Sequence, residues 1–466
     1  MVKVARFKDY KTPRISSEFF DCSLPFQMDQ YGYCGFSLGS QIGNQRGCQY
    51  CFSEYQRPIN PSIKHTIKKG ILTAVDVDRI KKLFLGHKPK DPYYKYFIKN
   101  KFILHWGSLS EPFCPIEKAL GLGYKLIDFF GELNYPVIFS VKGADLLLTP
   151  KYLELFEKYK HQHNFAFQFS ITGVNKAKSD LIEKGLPTAE KRFEAMKTLS
   201  DMGYYTGLRL RPFIIGYSDD KLDELLLKTY KSGAKAISLE FFCMTEIANE
   251  YVKERYNNIS KAVGFDIFDF YKALSPHSRG SYLRLNRNAK EQFVKKIYKF
   301  AHEHKMLFVL SDPDFKEISD SFICCGLPDE FSDGYFWKNL SPDFHNYSKA
   351  NFFYVLRYLR TKYYQGEIIK FSFKDLIALD KTGFLSTSEF IDCSLKKFDS
   401  FFMEASRALT LKDNLRLYWN NLNSPDNPFN YYQGALKPIA KDENGDLVYV
   451  YNPQEYEERW KKEGLI

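Results

Sequence analysis

The chain has 466 residues, a formal net charge of +11, 44% hydrophobic residues and 26% charged residues. This length and composition predict a folded protein and exclude an intrinsically disordered chain. The sequence lacks an apolar run of the ~20 residues that a membrane-spanning helix needs, and its basic start lacks the apolar centre of a signal peptide. We therefore expect a cytoplasmic protein with no membrane partner.

The positive charge is compatible with nucleic acid as a partner, because lysine and arginine neutralise phosphates and release counterions. A lysine-rich surface that only keeps the protein soluble explains the net charge of +11 equally well. The nine cysteines are an odd number and too sparse for a disulfide scaffold. Closely spaced cysteines are therefore expected to bind metal or take part in chemistry.

From about residue 100, runs of β-forming residues alternate with segments of helical periodicity. This pattern predicts parallel strands joined by helical crossovers, and five or six such units favour a closed or partly closed (β/α) barrel over an open sheet. In either architecture, functional groups collect where the strands end. The predicted strands lie at 101–108, 135–143, 164–173, 205–216 and 234–242. In the helical segment before the fourth strand, Pro187 and Thr188 give a start signal and Gly203 gives a stop signal.

The same pattern divides the chain into four regions. We predict an N-terminal extension at 1–20 and an α/β barrel core at 21–245. Residues 246–335 read as a helical insertion with a late strand that completes the barrel. Beyond that point the alternation ends, and residues 336–466 are predicted to form an appended, mainly helical module. Its role does not follow from the sequence.

The stretch "GNQRGCQYCFSEY" at 43–55 contains two cysteines three positions apart. Cys48 and Cys51 can lie in one turn and ligate one metal. Half of a zinc site, a redox pair and chance remain alternatives. Cys34 lies fourteen residues before Cys48. Three thiolates leave one coordination position open, which suits an iron–sulfur cluster.

The segment "DQYGYC…GCQYCF" at 29–52 resembles the cluster-binding loop of radical S-adenosylmethionine (SAM) enzymes. In that superfamily three cysteines, usually C-x3-C-x-aromatic-C, hold a [4Fe-4S] cluster whose fourth iron binds SAM. The present chain departs from the pattern, since the first gap, "GFSLGSQIGNQRG", has thirteen residues. The resemblance implies Cys34, Cys48 and Cys51 as the cluster ligands, with Cys22 as the rival of Cys34.

The resemblance extends from about residue 20 to 245, where the segments are similar, in the same order, to spore photoproduct lyase and its DNA-repair-photolyase-like relatives. It is carried by "LHWGSLSEPFCPIEKALGLGYKLIDFFGELNYPVIFSVKGADLL", "FQFSITG" and "PTAEKRFEAMKTLSDMGYYTGLRLRPFIIGYSDD". The fold that it implies is a partial (β/α)6 TIM-like radical SAM barrel.

The resemblance also implies residues that contact SAM. Tyr50 would pack against the cluster beside the adenine, Lys142 would meet the SAM carboxylate, and Ser170 would bond the ribose or carboxylate. The small residues at the first turn would let backbone approach the methionine amino group. The full expected set for cofactor binding is Tyr50, Phe52, Gly107, Ser108, Lys142, Ser170 and Arg211. A surface lysine, an ordinary turn serine or simple turn-making glycine would explain several of them as well.

Two further groups of residues have expected roles. Arg209 and Arg211 alternate on one strand, so both point to one face and would suit a phosphate or carboxylate. Cys114 in "SEPFCPIEK" stands where the lyase family uses a cysteine to donate a hydrogen atom to a substrate radical. Chance placement is an equal alternative for Cys114. An auxiliary cluster, or buried free thiols, would account for Cys243, Cys324, Cys325 and Cys393.

The function implied by the resemblance is reductive cleavage of SAM to methionine and a 5′-deoxyadenosyl radical that abstracts a hydrogen atom from a substrate. Flavodoxin or ferredoxin would serve as the electron donor, and the charge and the family favour nucleic acid repair or modification. A radical SAM enzyme acting on a peptide, a protein or a small molecule is the first alternative. A zinc-stapled nucleic-acid-binding protein without redox chemistry is the second.

Overall fold

A computed structural model describes most of the chain between residues 111 and 465 and shorter stretches before it. The described residues are 14–16, 36–38, 41–42, 47–51, 73–75, 77–86, 98, 104–107, 111–246, 250–275, 282–320, 326–327, 347–379, 411–424 and 427–465. Cys22, Cys34, Phe52, Ser108, Cys324, Cys325 and Cys393 lie outside them.

The centre of the molecule is a seven-stranded sheet in which every neighbouring pair of strands is parallel. The strand order is β14-β11-β10-β8-β7-β6-β2. Within the described residues the edge strands β2 and β14 do not pair with each other, so the sheet is a partial barrel. The predicted α/β class is confirmed. The strands are β2 (Phe36–Leu38), β6 (Leu104–Trp106), β7 (Val137–Val141), β8 (Phe165–Ser170), β10 (Tyr205–Phe213), β11 (Ala236–Phe241) and β14 (Leu307–Leu310).

Within the described residues, short strands form four smaller sheets outside this one. A three-stranded sheet joins β1, β5 and β3, and two-stranded pairs join β4 to β9, β12 to β13 and β15 to β16. These strands are β1 (Arg14–Ser16), β3 (Gln41–Ile42), β4 (Gly47–Cys48), β5 (Thr73–Val75), β9 (Glu183–Lys184), β12 (Met244–Thr245), β13 (Tyr282–Leu283), β15 (Leu436–Lys441) and β16 (Leu447–Tyr451).

Helices connect successive strands, as the alternating pattern predicts. They are α1 (Val77–Phe84), α2 (Pro115–Leu120), α3 (Leu122–Glu132), α4 (Ala144–Leu147), α5 (Pro150–Tyr159), α6 (Lys176–Ile182), α7 (Ala189–Asp201), α8 (Leu222–Lys231), α9 (Glu250–Val263), α10 (Ile267–Leu274), α11 (Arg287–Glu303), α12 (Tyr347–Tyr364), α13 (Phe373–Leu379), α14 (Leu411–Asn420), α15 (Pro428–Tyr431) and α16 (Glu455–Lys462).

Helix α7 illustrates how local sequence sets these boundaries. The Thr188 side chain accepts a hydrogen bond from the backbone N–H of Lys191 and so caps the first turn. Gly203 follows the helix at φ +94°, in the left-handed region that glycine tolerates. Both signals were visible in the sequence.

The two faces of the central sheet differ in chemistry. On one face Trp106, Phe139 and Phe167 line up in register, and Phe139 stacks on Phe167 with ring centroids 5.0 Å apart. Phe156 of α5 packs edge-on against Phe167 at 5.1 Å, so this face is covered by helices. The alternate residues form a second face, which we call the polar face: His105, Ser140, Gln168, Ser170, Arg209, Arg211 and Glu240.

The C-terminal residues contain helices α12 to α16 and an antiparallel hairpin, β15 and β16, that the sequence pattern did not indicate. They pack against the 3-10 turn Pro313–Ile318 that follows β14. Trp460 stacks on Phe315 at 5.8 Å, and Gln433 donates to Asp314 at 2.6 Å. Helix α16 and Gln433, which stands just before the hairpin, therefore contact the turn that follows β14 directly.

Among the helices of the described ranges, none combines the length and the apolar character that crossing a bilayer requires.

Candidate functional site

The Cys48–Cys51 segment is fixed by backbone pairing to the region that follows β8. Strand β4 pairs antiparallel with β9, with Cys48 directly opposite Glu183, and the N–H of Gln49 donates to the carbonyl of Ile182 at 2.8 Å. The Cys51 N–H donates to the Cys48 carbonyl at 3.3 Å, so the C-x2-C spacing forms one tight turn. Both thiols lie on this turn.

Helix α9 holds the same turn from another side. The Arg255 guanidinium donates to the carbonyl of Gln49 at 3.0 Å and to the carbonyl of Cys48. Asn258, one turn along the helix, lies 3.3 Å from the Gln49 side chain. These contacts satisfy carbonyl groups that a loop would otherwise expose to water. The sequence contained no signal for Arg255, because its partners are backbone atoms some 200 residues away.

Lys142 lies directly after β7 and reaches the cysteine turn. Its Nζ lies 3.7 Å from the Cys48 sulfur and 3.5 Å from a Glu183 oxygen, and it donates to the Tyr50 hydroxyl. The ammonium also lies 4.3 Å from the centroid of the Tyr50 ring. A mostly buried ammonium needs a partner. The partner in this structure is the Glu183 carboxylate.

Glu183 is the centre of the polar contacts at the turn. Its Oε1 accepts from the Thr172 hydroxyl at 2.7 Å and from the Tyr50 hydroxyl. Its Oε2 accepts from Arg192 Nη2 at 2.7 Å. Burial alone would raise the pKa of this carboxyl, but the Arg192 and Lys142 charges outweigh it and bring the pKa of Glu183 to about 2. The carboxylate is therefore ionised.

The two described thiols of the turn differ in their surroundings. Cys48 is only 6% exposed, and burial raises the pKa of its thiol while the Lys142 ammonium opposes that rise. Cys51 is half-buried. Two thiols in one turn beside an ammonium fit a thiophilic metal or cluster, which binds thiolates. Cys34 and Phe52 fall outside the described residues, so the structure gives no position for them.

The other residues expected at SAM occupy strand ends along the same edge. Ser170 is buried at the end of β8, and its carbonyl accepts from Arg192 Nη1 at 2.9 Å. Gly107 follows β6 at φ +104°, and a Cβ there would lie 2.6 Å from the Ser140 carbonyl oxygen. A glycine is required at this point by the close approach to β7. Ser108, the other residue expected in that turn, lies outside the described stretch.

Cys114 is brought close to Lys142 through the segment before it. A Cβ on Gly143 would lie 2.1 Å from the Phe113 carbonyl oxygen, so the two backbones touch. Glu111 ties them together, since its carboxylate accepts from the Lys142 N–H at 2.7 Å and the Phe113 N–H at 3.1 Å. The Cys114 thiol is buried at the start of α2. The structure therefore places Cys114 at the same edge of the sheet as Lys142.

Arg209 and Arg211 share the polar face, as their alternation predicts. Arg211 Nε lies 2.9 Å from Glu240 Oε2, and its Nη2 donates to Glu240 and to the Ser311 hydroxyl. No feature of the sequence indicated Glu240 as the partner of Arg211. An ion pair this well buried is positioned by strands β10 and β11 rather than by sequence proximity.

A hydrogen-bonded cluster of three polar residues also escaped the sequence analysis. His105 Nε2 lies 2.7 Å from Ser140 Oγ, and Gln168 Nε2 donates to the same oxygen at 2.9 Å. Burial lowers the pKa of His105 well below its usual value, and the Arg209 and Arg211 charges lower it further. The imidazole is therefore neutral. Single polar residues inside strands gave no sequence signal for such a cluster.

The remaining described cysteines are not brought together into a metal site. Cys243 is half-buried, and burial raises the pKa of its thiol to about 11. Among the described residues, no set of three or more histidine, cysteine or acidic side chains is arranged to hold a metal ion. Cys324, Cys325 and Cys393 lie outside those residues, so an auxiliary cluster stays a prediction.

Comparison with known proteins gives structural similarities only. No family model matches the chain, and no curated protein matches its sequence. One similar structure is a spore photoproduct lyase double mutant with bound AdoMet and dinucleoside spore photoproduct, with 13% identity, a TM-score of 0.46 and coverage of 67% of this chain and 85% of that chain. Another is a spore photoproduct lyase complexed with dinucleoside spore photoproduct. It has 13% identity and a TM-score of 0.44, and the match covers 64% of this chain and 80% of that chain.

A third similar structure is the cobalamin-dependent S-adenosylmethionine radical enzyme OxsB with aqua-cobalamin bound. It has 13% identity and a TM-score of 0.29 and covers 85% of this chain and 52% of that chain.

Proposed function

We propose that this chain is a radical SAM enzyme whose cluster site lies at the carboxyl edge of the parallel sheet. The observation that carries the proposal is the placement of the Cys48–Cys51 turn against Lys142, which brings two thiols and an ammonium from distant segments together. The bound [4Fe-4S] cluster would supply one electron to SAM, which then yields methionine and a 5′-deoxyadenosyl radical. Flavodoxin or ferredoxin is the proposed electron donor.

The protein's own residues would bind and orient the cofactors. Cys48, Cys51 and Cys34 are the proposed cluster ligands. The remaining cofactor-binding residues are proposed to be Tyr50, Phe52, Gly107, Ser108, Lys142, Ser170 and Arg211. Lys142 would meet the SAM carboxylate. Cys114 would donate a hydrogen atom to a substrate radical, and its burial at the start of α2 would keep the thiol away from water.

The first cysteine of the usual motif has no counterpart at its expected position in this chain. In the usual C-x3-C-x-aromatic-C motif the first cysteine stands four residues before the second, and that position here is Asn44. An amide is a poor ligand for iron in comparison with a thiolate. The proposal therefore needs a cysteine from further away, and Cys34 is preferred over Cys22. Cys34→Ala, but not Cys22→Ala, should abolish cluster binding.

The substrate is proposed to be nucleic acid, in a repair or modification reaction. The support is the formal charge of +11 together with Arg209 on the polar face, whose guanidinium suits phosphate. A peptide, protein or small-molecule substrate would be favoured instead if Cys243, Cys324, Cys325 and Cys393 bound an auxiliary cluster. The polar face would then serve a carboxylate.

The decisive experiment is anaerobic purification followed by iron and sulfide analysis. The proposal predicts brown protein with about four irons per chain, loss of colour in Cys48→Ala, and release of 5′-deoxyadenosine when the reduced protein meets SAM. Cys243→Ala is the matched control and should keep its colour. Colourless protein with one zinc would overturn the proposal in favour of a zinc-stapled nucleic-acid-binding protein.

A further inference from the structure

Glu183 connects the cysteine turn to the body of the barrel through both its backbone and its side chain. Its backbone pairs with Cys48 across the β4–β9 bridge. Its carboxylate accepts from Tyr50 and Thr172 on one oxygen and from Arg192 on the other. The side chain is 4% exposed. One carboxylate therefore contacts the turn, the end of β8 and helix α7.

Arg192 makes this arrangement rigid. Besides Glu183, its guanidinium donates to the Ser170 carbonyl at 2.9 Å and to the Pro187 carbonyl at 3.0 Å. The guanidinium is planar, so three fixed partners define its orientation. Its side chain is only 1% exposed, which removes competition from water. The position of the Glu183 carboxylate is thus set by the barrel and not by the turn.

Lys142 and Tyr50 depend on that carboxylate for their orientation. The Lys142 ammonium lies 3.5 Å from Glu183 Oε1, and the Tyr50 hydroxyl donates to the same oxygen. Tyr50 is 5% exposed, so its hydroxyl needs a partner. Without the carboxylate charge, the ammonium would lose its closest described counter-charge, and the hydroxyl would lose its strongest acceptor.

We propose that Glu183 is a positioning residue that holds Lys142 and Tyr50 in the geometry needed to receive SAM beside the Cys48 thiolate. This inference rests on the proposed function and adds a residue that the motif does not contain. Glu183 acts through Lys142 and Tyr50 and does not itself touch a reacting atom. Residues that orient ligand-binding side chains in this way affect affinity strongly although they make no contact with the ligand.

The test compares Glu183→Gln with a matched control, Asp446→Asn. Asp446 is also a buried carboxylate paired with an arginine, Arg416 at 2.7 Å, but it lies in the C-terminal hairpin region. Both substitutions keep the shape of the side chain and remove its charge. Thermal unfolding of both variants reports the general cost of losing a buried carboxylate, so any effect beyond the control is specific to the site.

Two readouts are measured on the iron-loaded protein. Glu183→Gln should keep its iron content, weaken SAM binding by about 10- to 100-fold, and change the electron paramagnetic resonance spectrum of the SAM-bound reduced cluster. Asp446→Asn should change none of these. If Glu183→Gln binds SAM as the wild type does, with an unchanged spectrum, the positioning role is overturned.

A third readout works without the cluster. In the apoprotein, Glu183→Gln should accelerate alkylation of the buried Cys48 by iodoacetamide about tenfold, which corresponds to about 1.4 kcal/mol less stability of the closed turn, whereas Asp446→Asn should not. If wild-type protein never binds iron, the proposed function fails, but this measurement still tests whether Glu183 fixes the turn. An unchanged alkylation rate would overturn that structural claim separately.

Discussion

The ammonium of Lys142 lies 3.7 Å from the sulfur of Cys48, so the residue after β7 and the C-x2-C turn are in direct contact. Parallel strands bring their carboxyl ends to one edge of a sheet. A segment that crosses that edge, as the cysteine turn does, can therefore meet a strand end far from it in sequence.

Replacing Lys142 with methionine should separate cofactor binding from cluster binding. The substitution removes the ammonium but keeps most of the apolar stem, so the iron content should be unchanged while the dissociation constant for SAM rises about 10- to 100-fold. Equilibrium binding of SAM to the reconstituted protein measures this. The matched control is Lys178→Met, since Lys178 is also partly buried and pairs with Asp220 at 3.2 Å. Equal SAM affinity in both variants would contradict the assigned role.

Gly107→Ala tests whether the turn after β6 needs the absence of a side chain. The new Cβ would lie 2.6 Å from the Ser140 oxygen and 3.0 Å from Pro112. Gly445→Ala is the control, because Gly445 also has a positive φ, +79°, but has open space around it. Chemical denaturation should give a loss of about 1 kcal/mol for Gly445→Ala and a clearly larger loss for Gly107→Ala. Equal losses would show that conformation alone, and not close approach, requires the glycine.

His105 should make stability depend on pH below its ordinary pKa of 6.5. Burial and the two nearby arginines lower the pKa of His105 in the folded state, so the unfolded chain binds one more proton once the pH falls below 6.5. The contribution of the neutral imidazole is therefore fully present above pH 6.5 and is lost as the pH decreases, by up to about 1.4 kcal/mol per pH unit.

The experiment compares urea unfolding of wild type and His105→Gln between pH 5 and pH 8. The difference in unfolding free energy should be constant above about pH 7 and should shift in favour of the variant at lower pH. Parallel curves over the whole range would contradict a buried neutral histidine.

Trp460→Ala should detach the C-terminal helix α16 from the barrel. The indole is fully buried, stacks on Phe315 and donates to Glu291 at 3.2 Å. Truncation of a buried tryptophan costs about 3–5 kcal/mol, so limited proteolysis should cut this region faster than in wild type. Leu417→Ala, at a side chain that is 50% exposed, is the control and should be cut at the wild-type rate. Unchanged proteolysis of Trp460→Ala would mean that other contacts hold the helix.

Local physical chemistry made several features predictable. The alternation of strands and amphipathic helices predicted a parallel sheet. Strands and helices can be told apart in the sequence because their buried residues recur with different periods. Thr188 and Gly203 marked the ends of α7 because capping and positive φ act within a few residues. The placement of Arg209 and Arg211 on one face followed from the two-residue period of a strand. The hairpin at 436–451 was missed, because its first strand, "LKPIAK", carries lysines and a proline on an exposed edge and lacks a clear apolar alternation.

For this protein, the sequence by itself determined the kind of fold, the two adjacent thiols of one turn and the strand ends where polar residues would gather. Only the tertiary structure decided which partners meet. Cys48 lies opposite Glu183, Lys142 contacts both of these residues, and Arg192 forms an ion pair with Glu183. The reason is that an ionic or hydrogen-bonding side chain carries no information about its partner's position in the chain. That choice is made by strand order and register, which depend on the packing of the whole sheet.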